Sequence, residues 1–216
     1  MGTDIMAIAQ VKLDGQWRLN PMKVFPTCGY HRKFFNEKDA DFTKDLTEHP
    51  LEQRFYDWYS IIIDRNDHRF TPIAVPRGIP AVGFDTSQEE LHCFSTTRNN
   101  SWLHINDFDN FDWNQIFIRQ GIVKLEEYKK LRGTADSPSF YSEQTGGQGV
   151  NVLSMDEANS FLEGRLEVED GKHIYVRYEW PVTYAEWFKP AIDSWFTPLR
   201  NLTEIFEDAR IVFGFY

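Results

Sequence analysis

Residues 4–19 read DIMAIAQVKLDGQWRL. Ile5, Ala7, Ala9, Val11 and Leu13 fall on alternate positions, the period of a strand with one buried face. Asp14-Gly15 then supplies a hairpin turn, and Gln16-Trp17-Arg18-Leu19 returns as a second strand. At the other end of the chain, Arg210-Ile211-Val212-Phe213-Gly214-Phe215 also reads as a strand. Between these ends Leu51, Phe55, Trp58, Tyr59 and Ile62 recur at helical spacing, with Pro50 in the first turn. Ser154-Met155-Asp156-Glu157 and Thr183-Tyr184-Ala185-Glu186 are capping boxes that open two further helices. Strands at both termini with helices between them predict an α+β fold. Its sheet is antiparallel or mixed and includes both terminal strands, with helices packed on one face.

The remaining elements fill in around that frame. Ser101 to Ile105 reads as a short strand, Asn106 or Asp107 as the cap of a helical turn, and Ile122 to Leu131 as a helix closed by Gly133. Residues 173–180 alternate as a strand. The helix that starts at Tyr184 must bend or break at Pro190 and Pro198. Residues 26–49 form a polar excursion and 133–149 a Gly-rich connector. A chain of 216 residues supports one substantial core, so a single globular domain over 1–216 is expected.

Composition excludes some functions. With a formal net charge of −10, the chain lacks the basic stripe that a phosphate-backbone binder needs, so no nucleic-acid partner is expected. Two cysteines, Cys28 and Cys93, are too few for a disulfide framework and indicate a reducing, cytoplasmic setting. The N-terminus has no signal-peptide pattern, and no apolar run reaches the ~20 residues of a membrane span.

Residues 71–84, TPIAVPRGIPAVGF, set one cation among prolines, glycines and apolar residues. Pro76 and Pro80 restrict their own torsions and those of Val75 and Ile79, while Gly78 can adopt a positive φ. Arg77 therefore stands on a stiff backbone. Its planar guanidinium suits either an internal carboxylate that ties the loop down or an anionic ligand. Arg98-Asn99-Asn100-Ser101-Trp102 adds a cation, two amides, a hydroxyl and an indole, a mixture able to stack a flat ring and bond its edge, or simply to pack in a core.

Other patterns carry less. Gly146-Gly147-Gln148-Gly149 offers backbone amides but lacks the strand-before, helix-after setting and the lysine of a phosphate loop. His92 and Cys93 are adjacent and point apart; no metal ligand set and no cofactor are expected. His104 with Asp107 or Asp109 has no nucleophile beside it.

Taken in order, RFYDWYSIIIDRN (54–66), PIAVPRGIP (72–80), NSWLHINDFDNFDW (100–113), YSEQTGGQGV (141–150), YEWPVTYAEWF (178–188) and RIVFGFY (210–216) resemble a widespread, largely uncharacterised family of small proteins of tailed bacteriophages and prophages. The resemblance implies a phage origin and an accessory role outside the virion. It singles out Arg54, Tyr56, Arg77, Gly78, Ser101 and Trp102, to which the local reading adds Arg98. Met6 and Phe55 stand where that family carries His and Asn, and Asn99-Asn100-Ser101 replaces its His-Ser segment.

The expectation is a non-enzymatic binding protein that acts in the host cytoplasm and sequesters a small anionic, nucleotide-like immune signal. The first alternative is an inhibitor that docks on a host protein. The second is a nucleotide-modifying enzyme with His104 or Glu179 as base. A second copy of the chain is a further candidate partner.

Overall fold

The computed structural model describes residues 5–20, 56–63, 69–84, 94–95, 97–168 and 173–215. Cys28, Cys93, Arg54 and the 26–49 excursion lie outside the described residues. In chain order the elements are β1 (Ile5–Leu13), β2 (Gln16–Leu19), α1 (Tyr56–Ile63), β3 (Arg98–His104), α2 (Ile105–Asp109), β4 (Ile116–Lys124) and α3 (Leu125–Leu131). There follow β5 (Val150–Leu153), α4 (Met155–Leu162), β6 (His173–Thr183), α5 (Tyr184–Trp187), α6 (Lys189–Ala191), a π-helical turn (Ile192–Phe196), α7 (Thr197–Leu202) and β7 (Asp208–Phe215). The fold is α+β, and both terminal strands share one sheet.

Where the sequence suggested one domain, the chain divides into two compact units, Met1–Asp112 with Phe188–Tyr216, and Trp113–Trp187. The first unit holds a sheet of order β2-β1-β7-β3, in which β7 pairs antiparallel with both β1 and β3. The β1–β2 hairpin turns at Asp14 and Gly15, with φ of 50° and 73°, the paired positive torsions of a two-residue hairpin loop.

One face of this sheet carries Ala7, Ala9, Val11, Ala209, Ile211, Phe213 and Phe215, all buried. Helices cover it. Trp58 of α1 meets Phe108, Phe188 and Trp195 at ring distances of 6.5, 5.9 and 5.6 Å, and Trp195 meets Phe213 at 6.1 Å. The helix expected from Tyr184 onward is interrupted at the predicted prolines: α5 stops at Trp187, Pro190 sits in α6, and Pro198 in α7. Proline lacks the N–H and crowds the preceding turn, so each new segment restarts with it near the N-terminal end.

The second unit holds a sheet of order β4-β6-β5, with β4–β6 antiparallel and β5–β6 parallel. Both capping boxes form here as read. Ser154 Oγ accepts from Glu157 N at 3.2 Å while Glu157 accepts from Ser154 N at 2.8 Å, and Thr183 and Glu186 repeat the pattern at 3.2 and 3.0 Å. One expectation needs correction. Ile122, Val123 and Lys124 end strand β4 instead of opening a helix, and α3 begins only at Leu125. Their pairing with Arg177, Val176 and Tyr175 of β6 overrides the helical preference of the charged run behind them.

Candidate functional site

The sheet face of the first unit that the helices leave uncovered is half apolar and half polar. Ile8, Val212 and Phe94 form a small buried cluster, flanked by Leu19, Phe84 and Trp102. Beside it the period-two register lines up Gln10, Arg210 and His104 across β1, β7 and β3. Residues 69–84 are fastened first to the helix side, at Ile61 and Ser101, and then to this side, at Gln10 and Arg210. Ile73 N donates to Ile61 O at 2.8 Å, Arg77 N to Ser101 Oγ at 3.0 Å, and Gln10 Nε2 to Gly83 O at 2.6 Å. Arg210 Nη2 donates to Val82 O at 2.5 Å. Gly83 has φ +70°, and a Cβ there would sit 2.9 Å from the Trp17 carbonyl oxygen and nearer still to its Cβ, so only glycine allows this approach.

Arg77 takes the internal ion pair. Its Nη1 and Nη2 bond both oxygens of Asp107 at 2.6 and 2.7 Å, a bidentate fork. Its guanidinium carbon lies 4.5 Å from the Trp102 ring centre, and Gly78 beside it has φ +72°. Asp107 also accepts from His104 N at 2.7 Å, so one carboxylate closes the capping box of α2 and clamps the loop. The cap of that helix is His104, where the sequence suggested Asn106 or Asp107.

Arg210 was not singled out from the sequence, yet it is the centre of the cluster. It is 4% exposed; its Nε donates to Gln10 Oε1 at 2.9 Å, and it stacks over Trp17 at 4.2 Å and Trp102 at 5.5 Å. Among the described residues no carboxylate stands within ion-pair distance of it. Burial lowers its pKa to about 10, against the opposing pull of Asp208, and leaves it charged near neutrality. The only sequence signal for it was an arginine in phase with Val212 and Gly214 on a strand whose other phase is wholly apolar.

His104 is fully engaged. Its Nε2 lies 2.7 Å from Asp208 Oδ2, and its Nδ1 accepts from Asn106 N at 3.1 Å. The capping bond needs an unprotonated Nδ1, which leaves the proton on Nε2, directed at Asp208. Neither nitrogen is left to act as a base.

The other sequence-selected residues distribute as follows. Ser101 and Trp102 join Arg77 as just described. Arg98 is exposed at the start of β3, next to a register shift and to Asn99 with φ 51°. Tyr56 opens α1; its side chain, like Arg54, lies outside the described residues. Glu179 accepts from Gln120 Nε2 on the exposed face of β6. The Gly146–Gly149 run leads into strand β5, with Gly147 O accepting from Val150 N, and opens no helix. Among the described residues no group of three or more His, Cys, Asp or Glu is placed to hold a metal ion. No helix among them is long and apolar enough to cross a membrane. Compared with models of protein families, with curated proteins and with solved structures, the chain matches none.

Proposed function

We propose that the chain is a non-enzymatic, phage-encoded protein that acts in the host cytoplasm by docking on a host protein through residues 71–84. One observation carries this reading. Val75, Ile79 and Val82 stand 75%, 37% and 67% exposed on a backbone fixed at Ile73, Arg77, Val82 and Gly83. Large aliphatic side chains held out to water on an ordered loop are the makings of a contact surface. Because the loop is ordered before it meets a partner, little conformational entropy is lost on binding. The single arginine of the loop has its role here as the clamp. The phage resemblance supports the origin and the accessory role.

Sequestration of a nucleotide-like signal leans on unpaired guanidinium groups. Arg77 is paired with Asp107 and Arg210 is enclosed by neutral acceptors, so the described part of that site retains Arg98 alone as an exposed cation. Catalysis by His104 leans on a free ring nitrogen that its two bonds remove. Docking on a protein needs neither.

The test places a photo-crosslinking residue at Val75, Val82 or, as control, the exposed Ile205, and expresses each variant in the host. The expected result is one host protein captured from both loop positions and not from Ile205. Capture should vanish with Val75→Asp and Val82→Asp while circular dichroism stays unchanged. No shared adduct, together with calorimetric binding of a cyclic or ADP-ribose-derived nucleotide that Arg98→Ala abolishes, overturns the reading in favour of sequestration.

A further inference from the structure

The second unit leaves one sheet edge open, and its hydrogen-bonding phase can be worked out residue by residue. Ile118 of β4 lies opposite Pro181 of β6, which has no N–H to give. Ile122 donates to Ser142 O at 2.8 Å and accepts from Ser142 N at 2.9 Å, on the side away from β6. An antiparallel ladder alternates strictly between residues bonded inward and residues whose backbone points outward. The register from Ile116 to Lys124 runs without a shift, so Ile116, Ile118 and Gln120 share the phase of Ile122 and turn their N–H and C=O groups outward. Among the described residues nothing bonds these groups. Ser142 closes the edge at Ile122, and the open run is three residues of one phase, with Ile118 at its middle.

The side chains of that phase are unusual for a free edge. Ile116 and Ile118 are 64% and 60% exposed, and Pro181 beside Ile118 is exposed as well. Edge strands in monomers are ordinarily protected by charge, proline or a covering segment; the outward phase of Ile116, Ile118 and Gln120 carries no charge and no proline, and among the described residues no segment pairs with it.

We infer that this edge joins two copies of the chain, β4 pairing antiparallel with β4 of a second copy about a twofold axis at Ile118. The fit is self-complementary. Ile118 exchanges both backbone bonds with Ile118 of the other copy, and Ile116 faces Gln120 in each direction. All three open positions are thereby used. Charge at the seam does not oppose this occupant. Copies of a chain carrying −10 repel one another overall, but the open run is free of any acid or base in the outward phase, so no like charges meet where the strands pair. The outward aliphatics Ile116 and Ile118 of both copies then cover one another on the continuous face of a six-stranded sheet. A seam this short is far smaller than a standard interface, so the association is weak and depends on concentration.

Sedimentation velocity from low to high micromolar protein tests it. The weight-average mass of the wild type should climb from that of one chain toward that of two. Ile118→Lys sets like charges against each other on the axis. Ile118→Pro removes the central outward N–H without taking a bond from the β4–β6 ladder. Each should raise the dissociation constant at least tenfold while circular dichroism and the urea midpoint stay close to the wild type. The exposed Phe140, outside the edge, serves as control, and Phe140→Ser should leave the association as it was. A wild type that stays monomeric throughout overturns the inference and leaves the edge to an extended segment of another protein. A dimer that survives both Ile118 variants, each verified as folded, overturns it too.

Discussion

Each unit buries one arginine against an indole, and the two are satisfied differently. Arg210 in the first unit lies over Trp17 and Trp102, with Nε on Gln10 and Nη2 on the Val82 carbonyl. Arg119 in the second is 5% exposed, lies 3.5 Å from Trp187 and 5.0 Å from Tyr141, and leaves its buried Nε without a partner. Its one ion pair, with Glu143 at 3.1 Å, uses a carboxylate side chain that is 77% exposed. Arg210 is thus a cross-brace between strands and loop, whereas Arg119 is an aromatic-packed cation with an incomplete polar shell. A buried charge resists removal only in proportion to what its removal leaves unpaired.

Replacing each arginine by methionine separates the two cases most sharply. Arg210→Met strands the buried Gln10 acceptor, frees the part-buried Val82 carbonyl and loosens the loop, at a cost of about 2–4 kcal/mol from unsatisfied groups of this kind. Arg119→Met keeps contact with the rings, relieves an unpaired donor and returns Glu143 to water, so it should change stability by about 1 kcal/mol or less, in either direction. Urea unfolding of both variants beside the wild type measures the gap. Equal losses would erase the distinction drawn between the two sites.

A double-mutant cycle on Arg77 and Asp107 probes the next smaller effect. The pair is bidentate but partly exposed, its side chains 32% and 19% accessible, so a coupling of about 1 kcal/mol is expected after solvent screening. Asp107→Ala should cost more than Arg77→Ala, because it also removes the acceptor for His104 N. Hydrogen exchange should quicken across 71–84 in both single variants, with little change in β1 and β7. If exchange in the loop is unaltered, Arg77 is not its clamp.

Comparing the units also shows what a sequence can reveal. The elements read correctly were those that local chemistry decides: the Asp14-Gly15 hairpin, the two Ser/Thr–Glu capping boxes, the Trp58, Tyr59 and Ile62 part of the α1 stripe (Pro50, Leu51 and Phe55 lie outside the described residues) and the proline breaks. Strand β4 was misread from Ile122 onward because its identity depends on β6, more than fifty positions further along, while its neighbours Glu126, Glu127, Lys129 and Lys130 favour a helix. At the site, the grouping of Arg77 with Ser101 and Trp102 was legible from stiff backbone and polar-aromatic content. Its acceptor was not, since Asp107 does two jobs, and the sequence pointed to it only as a possible cap, a place His104 takes. Arg210, Gln10 and Trp17 meet solely through the register of three strands, a relation that no local window contains.

The smallest effect concerns the capping motif itself, which serves differently in the two units. In the first, Asp107 divides its oxygens between a cap and a guanidinium. In the second, Glu186 and Glu157 sit at the surface, and backbone and hydroxyl donors of Thr183 and Ser154 hold each carboxyl below its ordinary 4.5. A carboxylate whose folded pKa is depressed contributes stability that is present in full above 4.5 and fades as pH falls through the lower, folded value. Glu186→Gln keeps an acceptor but loses the charge. Its deficit in urea midpoint should therefore be constant from pH 7 to about 5 and shrink on further acidification, because only the wild type then has a cap left to protonate. Glu157→Gln should repeat this profile. A deficit that widens toward low pH would mean that the carboxylates are held by something other than their own caps.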